Sequence, residues 1–203
     1  EKDIIPAPIF ASGYRIARSW KVYRSQSSNH KPTVERLLFA LGYRRDEAPI
    51  TKTARVGAAL LLAIETGMRC GEICALEWPD IDLADRYCTV QAEKAGAGKT
   101  AAARRDVPLS AQAVRILESL PRDGALAFGL TAASVDALFR KAKARAMVEG
   151  VTFHDSRHLA ITRLARRPGM DVLSLARIVG HRDLRQLQVY FNPRASDLAK
   201  LLN

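Results

Sequence analysis

The first half of the chain is a succession of apolar stretches at helical spacing, each followed by residues that end a helix. The apolar positions predict three helices, over residues 34–41, 56–64 and 69–76. Gly42 and Gly67 follow the first two helices, and the turn at Trp78–Pro79 ends the third. A polar loop over residues 44–53 separates the first helix from the second. This half of the chain is therefore predicted to be helical up to the Trp78–Pro79 turn.

The middle of the chain changes to a strand pattern and then returns to helices. Residues 87–91 alternate polar and apolar side chains, and a Gly/Ala-rich hairpin leads from them to a returning strand over residues 105–109. Beyond that strand the spacing is helical again. It predicts helices capped by Ser110 and by Ser134, one that begins near His154, one over residues 172–179 that ends at Gly180, and one from about Asp183 that bears Tyr190. We therefore predict a fold that is mostly α with a small antiparallel β-sheet (α+β).

Residues 1–32 differ from the rest of the chain in composition, with three prolines and a serine-rich patch over residues 25–28. We interpret them as an N-terminal arm or linker. Residues 33–203 then form one domain, which ends in a short amphipathic tail helix over about residues 194–203. The first residue is Glu1 instead of a methionine, so we expect the chain to be a fragment of a longer protein.

Composition and charge narrow the choice of partners. The chain of 203 residues has a net charge of +11 and a pI near 10.0, and such an excess attracts a polyanion by releasing its counterions. No apolar run approaches the roughly 18–20 residues that a membrane span needs, so we expect no membrane partner. Three cysteines are too few for a disulfide framework, which fits a reducing, cytoplasmic location.

One set of residues offers chemistry for a phosphodiester. His154, Arg157 and His158 are followed by His181 and, nine residues later, by Tyr190. A tyrosine hydroxyl is a poor nucleophile at its ordinary pKa of about 10, and phosphoryl transfer is helped chiefly by positioned cations and hydrogen-bond donors. Arginine matches phosphate oxygens, histidine donates or shuttles a proton, and a lysine can protonate the departing sugar oxygen. The set predicts strand cutting through a tyrosyl ester, with no metal.

Five segments carry a resemblance to a known family. They are Thr66-Gly67-Met68-Arg69-Cys70-Gly71-Glu72-Ile73 with Leu76, Asp106-Val107-Pro108-Leu109-Ser110, His154-Asp155-Ser156-Arg157-His158, Gly180-His181, and Tyr190. Each segment alone is weakly specific, but all five occur in the correct order and with typical gaps. In these segments, which extend over residues 66–190, the chain resembles the catalytic domain of the tyrosine recombinases, also called phage-type integrases.

The resemblance implies a role for each of the matching residues. Arg69 and Arg157 would clamp the scissile phosphate. His154 and His181 would form hydrogen bonds to its oxygens and manage protons. Tyr190 would attack the phosphorus and leave a 3′-phosphotyrosyl link and a free 5′-hydroxyl. Rejoining would then need neither a cofactor nor a metal ion.

The resemblance also implies supporting residues and a general acid. Glu72 and Asp155 are expected to orient the arginines and histidines, and His158 is the histidine most readily assigned a structural role. The family lysine lies on the strand hairpin, where two candidates remain. Lys94 fits when residues are counted forward from the preceding turn, and Lys99 fits when they are counted backward from the returning strand. We favour Lys94 because the strand before it shows no insertion.

By the same resemblance the partner is double-stranded DNA, and site-specific recombination (integration, excision or inversion) would proceed in a tetrameric synapse of self-associated subunits. Members of the family normally carry a separate N-terminal domain that completes a clamp around DNA. Residues 1–32 are too short to form that domain, so we expect it to be absent from this fragment. The tail over residues 194–203 would dock on its own domain or on a neighbouring subunit.

Other interpretations account for fewer of these residues. A metal site formed by His154, His158 and His181 lacks a glutamate beside the first histidine, and the arginine between the first two would repel a cation. A non-catalytic helix-turn-helix module over residues 172–190 explains the basic charge but leaves Tyr190 and the histidines unexplained. A type IB topoisomerase, which cuts DNA by similar chemistry, is the alternative among strand-cutting enzymes.

Overall fold

A computed structural model of the chain describes residues 30–91, 104–181, 183–188 and 190. The helices within these residues are α1 (His30–Ala40), α2 (Lys52–Thr66), α3 (Cys70–Cys74), α4 (Ala111–Glu118), α5 (Ala132–Arg145), α6 (Asp155–Ala165), α7 (Val172–Val179) and α8 (Arg185–Gln188), with a 3₁₀ turn at Trp78–Asp80. The strands are β1 (Ile81–Asp82), β2 (Tyr87–Gln91) and β3 (Arg104–Pro108). Most of the predicted arm, the predicted tail and both candidate lysines lie outside the described residues.

Helix α2 is the centre of the fold. Thr51 caps its first turn by accepting a hydrogen bond from Ala54 N at 3.1 Å, and Gly67 ends it in the left-handed conformation at φ +71°. Side chains are buried nearly all round the helix, as expected of a helix in the interior, because α4, α5 and α6 pack around it. After the turn at Gly67 the chain reaches the edge of the core, and the first candidate site residues, Arg69 and Glu72, come next.

The three strands form one antiparallel sheet in the order β1-β2-β3. β2 and β3 pair along their whole lengths, as the predicted hairpin requires. β1 is an addition to the predicted hairpin, in which Ile81 pairs with Cys88 of β2. Alternation along β3 buries Arg105 and Val107 on the inner face of the sheet. The predicted fold, mostly α with a small antiparallel sheet, is confirmed.

Several predicted helix boundaries are wrong: the helices predicted to begin at residues 34 and 56 each begin four residues earlier, and α3 ends at Cys74. The helix predicted to begin at Ser134 is capped by Thr131 instead, and Ser134 completes a capping box with it. The backbone N–H of each of these two residues donates to the side-chain oxygen of the other, at 3.0 and 3.1 Å. The sequence pattern also assigns Tyr190 to the last predicted helix. In the structure α8 ends at Gln188, and Tyr190 lies in a turn.

The buried apolar side chains form two clusters. The larger cluster is built on α2 with contributions from α1, α3, α4, α5 and the sheet. The smaller cluster contains α7, α8 and the C-terminal part of α6, through Ile161 and Leu164, and Tyr190 packs against it. Phe153, just before α6, belongs to the larger cluster, so the start of α6 lies where the two clusters meet. Among the described helices, none has the length and apolar character of a membrane span.

Candidate active site

Arg69 and Glu72 lie in the turn and short helix that follow Gly67. Arg69 is the N-cap of α3, and Glu72 completes a capping box with it. The Glu72 carboxylate accepts hydrogen bonds from Arg69 N at 2.7 Å and from Arg69 Nη1 at 3.0 Å. One carboxylate therefore holds both the backbone and the guanidinium of Arg69, which fixes the direction of that side chain.

Arg105 binds the same carboxylate and is absent from the predicted set of site residues. Its Nη1 and Nη2 donate to Glu72 Oε1 and Oε2, each at 2.8 Å, in the bidentate arrangement that arginine favours. Burial by itself raises the pKa of Glu72, but Arg105 and Arg69 outweigh it, so the pKa lies below its usual value. Alternation with the buried Val107 is the sequence signal that identifies Arg105 as an inward-facing residue.

Arg157 lies in the first turn of α6 and is almost fully buried, with 3% of its surface exposed. Its Nη1 donates to Gly67 O, and its Nη2 donates to Val179 O at 2.7 Å. The side chain therefore connects the C-terminal end of α2 to the C-terminal end of α7. Burial lowers the pKa of Arg157, and the neighbouring charge of Arg69 lowers it further. The two arginines are thus electrostatically coupled cations, and an anion bound between them would be favoured.

His181 follows directly after the end of α7. Gly180 ends that helix in the left-handed conformation at φ +68°, and His181 N donates to Ala176 O at 3.0 Å. Arg69 Nη2 reaches the carbonyl oxygen of Gly180 at 3.4 Å. The His181 side chain is half-buried and lines a groove of about 460 Å³ with arginines of β3 and α7. The turn at Gly180 therefore brings His181 and Arg69 to the same end of α7.

His154 and His158 lie one helical turn apart at the start of α6. His154 is the exposed N-cap residue and His158 is half-buried, and their rings meet edge to face with centroids 5.1 Å apart. Burial lowers the pKa of both imidazoles, and the charge of Arg157 lowers both further, against an opposing contribution from Asp155. The lowered pKa favours the neutral form of both rings, and a neutral imidazole can accept a proton.

The Tyr190 hydroxyl lies 3.5 Å from His158 Nδ1. His158 is the histidine to which the sequence alone assigns a structural role, yet it is adjacent to the candidate nucleophile. Burial raises the pKa of Tyr190, and the charge of Arg157 lowers it only in part. The hydroxyl is therefore protonated at neutral pH, so attack by this oxygen would require removal of its proton.

Asp155 has a local contact that the sequence did not suggest. Its Oδ2 accepts hydrogen bonds from Thr152 N at 2.6 Å and from Thr152 Oγ1 at 2.8 Å. These bonds hold the turn that leads into α6, and the charge of Asp155 also acts on His158. Lys94 and Lys99 lie outside the described residues, so the choice between them stays a prediction.

The helix-turn-helix interpretation of residues 172–190 loses support. Helix α8 has four residues, about one turn, which is too short to serve as a recognition helix in a DNA groove. Over the part of the chain that the structure covers, no three histidine, cysteine, aspartate or glutamate side chains are grouped so as to hold a metal ion.

Comparison with known proteins identifies relatives along most of the chain. Residues 32–196 match the model of the phage integrase family. An integrase/recombinase homologue of Haemophilus influenzae is 40% identical over 157 residues, which are 75% of this chain and 49% of that protein. The shufflon-specific DNA recombinase of Escherichia coli is 37% identical over 143 residues, which are 70% of this chain and 36% of that protein. The chain thus spans about half or less of the length of these curated relatives.

Solved structures share the fold. XerA recombinase matches with a TM-score of 0.59 and 22% identity, over 85% of this chain and 62% of that chain. The lambda integrase dimer bound to a COC′ core site matches with a TM-score of 0.56 and 20% identity, over 81% of this chain and 59% of that chain. The family match over residues 32–196, together with this shared fold, shows that the chain belongs to the phage integrase family.

Proposed function

We propose that this domain cuts and rejoins double-stranded DNA in site-specific recombination, with Tyr190 as the nucleophile. The observation that carries the proposal is the meeting of Arg69 and Arg157 at the end of α7, next to His181, while His158 contacts the Tyr190 hydroxyl. A module that only binds DNA would not need a half-buried hydroxyl beside an imidazole of lowered pKa and two coupled cations. The names of the relatives that are 37–40% identical, which include a DNA recombinase, support the same reaction.

The proposed step forms one bond and breaks another. The Tyr190 oxygen attacks the scissile phosphorus, and the bond between phosphorus and the 5′ oxygen breaks, so that the enzyme is joined to the 3′ phosphate. The hydroxyl proton passes to a neutral histidine. The departing 5′ oxygen takes a proton from the general acid, which is Lys94 in our preferred assignment and Lys99 in the alternative one. Because the new ester replaces the old one, a 5′-hydroxyl can reverse the exchange without ATP.

The phosphate would lie at the positive end of α6. Arg69 has 26% of its side chain exposed and can present its guanidinium to the non-bridging oxygens, whereas the buried Arg157 contributes its charge from behind. His154, at the N-cap of α6, and His181 are proposed to donate hydrogen bonds to the same oxygens. The positive end of the α6 dipole adds to this preference for an anion. Charge that builds up in the transition state would be stabilised without rearrangement of these groups.

The proposed partner is duplex DNA, in keeping with the net charge of +11. Strand exchange between two recombination sites has four strands to cut, and each domain offers one candidate nucleophile. We therefore propose that the domains self-associate as a tetramer on DNA. The matched segments cover only 49% and 36% of these two relatives, so the proposal includes contributions from the rest of such a protein.

The test is a covalent trap on a pool of nicked duplexes of randomised sequence. Cleavage close to the nick releases a short fragment that diffuses away, so the ester cannot be reversed and the adduct accumulates. We expect an adduct that resists denaturation and carries a 5′-end label, because the protein joins the 3′ phosphate. Peptide mapping should recover the nucleotide on Tyr190. An adduct at another residue or on the 5′ phosphate contradicts the mechanism, and binding without an adduct contradicts catalysis.

Single replacements by alanine should separate the two candidate lysines. Lys94→Ala is expected to slow cleavage by roughly 10²- to 10⁴-fold, the range for loss of a general acid, whereas Lys99→Ala should leave the rate nearly unchanged. A substrate with sulfur at the 5′ bridging position should restore the rate of Lys94→Ala, because a thiolate leaves without protonation. The reverse pattern assigns Lys99, and a lack of rescue by sulfur contradicts the general-acid role of the affected lysine.

The pKa shifts predict the pH dependence of cleavage. The pKa values of His154 and His158 are lowered from 6.5, so the neutral imidazole persists as the pH falls to 6.5 and is lost only below it. The pKa of Tyr190 is raised from 10.0, so little tyrosinate forms below pH 9. We therefore expect single-turnover rates to be flat between about pH 7 and 9 and to fall below about 6.5. A tenfold rise in rate per pH unit between 7 and 9 would instead indicate attack by a pre-ionised hydroxyl.

A further inference from the structure

The C-terminal end of α7 is held by three guanidinium groups at three successive carbonyls. Arg105 Nε donates to Ile178 O at 3.2 Å, Arg157 Nη2 donates to Val179 O at 2.7 Å, and Arg69 Nη2 donates to Gly180 O at 3.4 Å. Carbonyls in the last turn of a helix lack partners within the helix and carry partial negative charge, so cations stabilise them. The next residue is His181, and its position depends on where this helix end lies.

Arg105 also packs directly against the turn that leads to His181. A Cβ atom placed on Gly180 would lie 2.9 Å from both Cζ and Nε of Arg105, so the guanidinium lies against the backbone of that glycine. Only 5% of the Arg105 side chain is exposed. Through these contacts β3 supports the turn at Gly180.

Arg105 further determines how much charge Arg69 can offer to an anion. The carboxylate of Glu72 is fully buried, with 0% exposure, and it is bound by both arginines. Because Arg105 contacts both carboxylate oxygens at 2.8 Å, it neutralises the buried charge. Without Arg105 the carboxylate would pair with Arg69 alone, and the attraction between Arg69 and a phosphate would be weaker.

We propose that Arg105 is a positioning residue for strand cutting, which acts through Arg69 and His181 and does not touch the DNA. This inference rests on the proposed function of the site. One side chain performs two tasks, since it neutralises Glu72 and supports the turn at Gly180. Its removal should slow the chemical step in the bound complex more than it weakens the binding of DNA.

The experiment compares Arg105→Met with a matched control, Arg55→Met. Arg55 is also buried, pairs through both terminal nitrogens with one carboxylate (Asp123), and donates from Nε to a backbone carbonyl at 3.3 Å. It lies near the opposite end of α2 from Gly67, about 18 Å away along the helix at 1.5 Å per residue. The two variants therefore remove the same kind of buried contact, Arg105→Met at the candidate site and Arg55→Met far from it.

Single-turnover cleavage at saturating protein and the dissociation constant for a nicked duplex are measured for each variant. Arg105→Met is expected to cut roughly 100-fold more slowly, as when one oriented cation or donor is lost. Its dissociation constant should change by no more than about threefold, because many phosphate contacts share the affinity. Arg55→Met should lose stability but cut at the wild-type rate. If the two variants lose the same fraction of the cleavage rate, Arg105 only stabilises the fold and the positioning role is wrong.

A second pair of variants keeps the test valid if Arg105→Met folds poorly. Glu72→Gln combined with Arg105→Met removes both buried charges, which avoids an unpaired carboxylate, and is compared with Glu72→Gln alone. We expect the double variant to melt no lower than the single variant and yet to cut roughly tenfold more slowly or worse, since the support of the Gly180 turn is lost. Equal cleavage rates in these two variants would overturn the positioning role.

The two proposals fail in distinguishable ways. If the wild-type domain forms no tyrosyl adduct, the proposed function is wrong, and the positioning role that rests on it is wrong as well. If the wild-type domain forms the adduct and Arg105→Met forms it equally fast, only the positioning role is wrong. Arg105→Lys adds a graded test, because lysine keeps the charge but cannot contact both Glu72 oxygens and the Ile178 carbonyl together. It should therefore cut at a rate between those of Arg105→Met and the wild type.

Discussion

Tyr190→Phe is expected to abolish the covalent adduct with DNA, with a rate lower by roughly 10⁴-fold or more, as in other enzymes deprived of the nucleophile. The replacement removes only the hydroxyl, whose described contact is with His158 at 3.5 Å. The ring remains half-buried against the smaller cluster, so the free energy of unfolding should change little. Denaturing gels of the nicked-duplex reaction measure the adduct, and a filter-binding titration measures the affinity, which should be unchanged.

Tyr43→Phe is the matched control for that experiment. Tyr43 is a buried tyrosine of the larger cluster, remote in sequence from the candidate site, and its replacement removes the same group. It should form the adduct at the wild-type rate. An adduct that persists in Tyr190→Phe would show that another residue attacks the phosphorus, and the proposed mechanism would be wrong.

Arg157→Lys is expected to lower both the stability of the domain and its rate of cleavage. The two terminal nitrogens of the guanidinium donate to Gly67 O and Val179 O. Lysine has a single ammonium nitrogen, which cannot take the place of this planar pair of donors. A buried carbonyl left without its donor costs about 1–3 kcal/mol of stability. Cleavage should fall by roughly 10²- to 10³-fold, because the cation opposite the developing charge is displaced. Thermal unfolding and single-turnover cleavage, measured well below the melting temperature, report the two effects separately.

The corresponding control is Arg55→Lys, which removes a buried bidentate ion pair with Asp123 at the start of α2. We expect it to lower the melting temperature without slowing cleavage by the folded protein. If Arg157→Lys behaves in the same way, with a rate of cleavage close to that of the wild type, then Arg157 acts on the fold alone and the phosphate clamp is wrongly assigned.

Local rules were sufficient wherever a few neighbouring residues decide the conformation. The helix ends at Gly42, Gly67 and Gly180 could be predicted because each requires a positive φ, which glycine adopts without strain. The error at Ser134 is of the same local kind, because Thr131, three residues earlier, is also a residue type that caps helices. β1 could not be predicted in this way, because a strand of two residues exists only through its pairing with β2.

The amino-acid sequence by itself determined the class of fold, the basic charge and the order of arginine, histidine and tyrosine residues from which strand cutting is inferred. Only the tertiary structure decided which of these side chains meet. Arg105 binds Glu72 across 33 positions of sequence, and Tyr190 contacts His158 across 32. Such contacts depend on how α2, α6, α7 and the sheet pack against one another. Periodicity along the chain predicts that a face is buried, but not the partner that buries it.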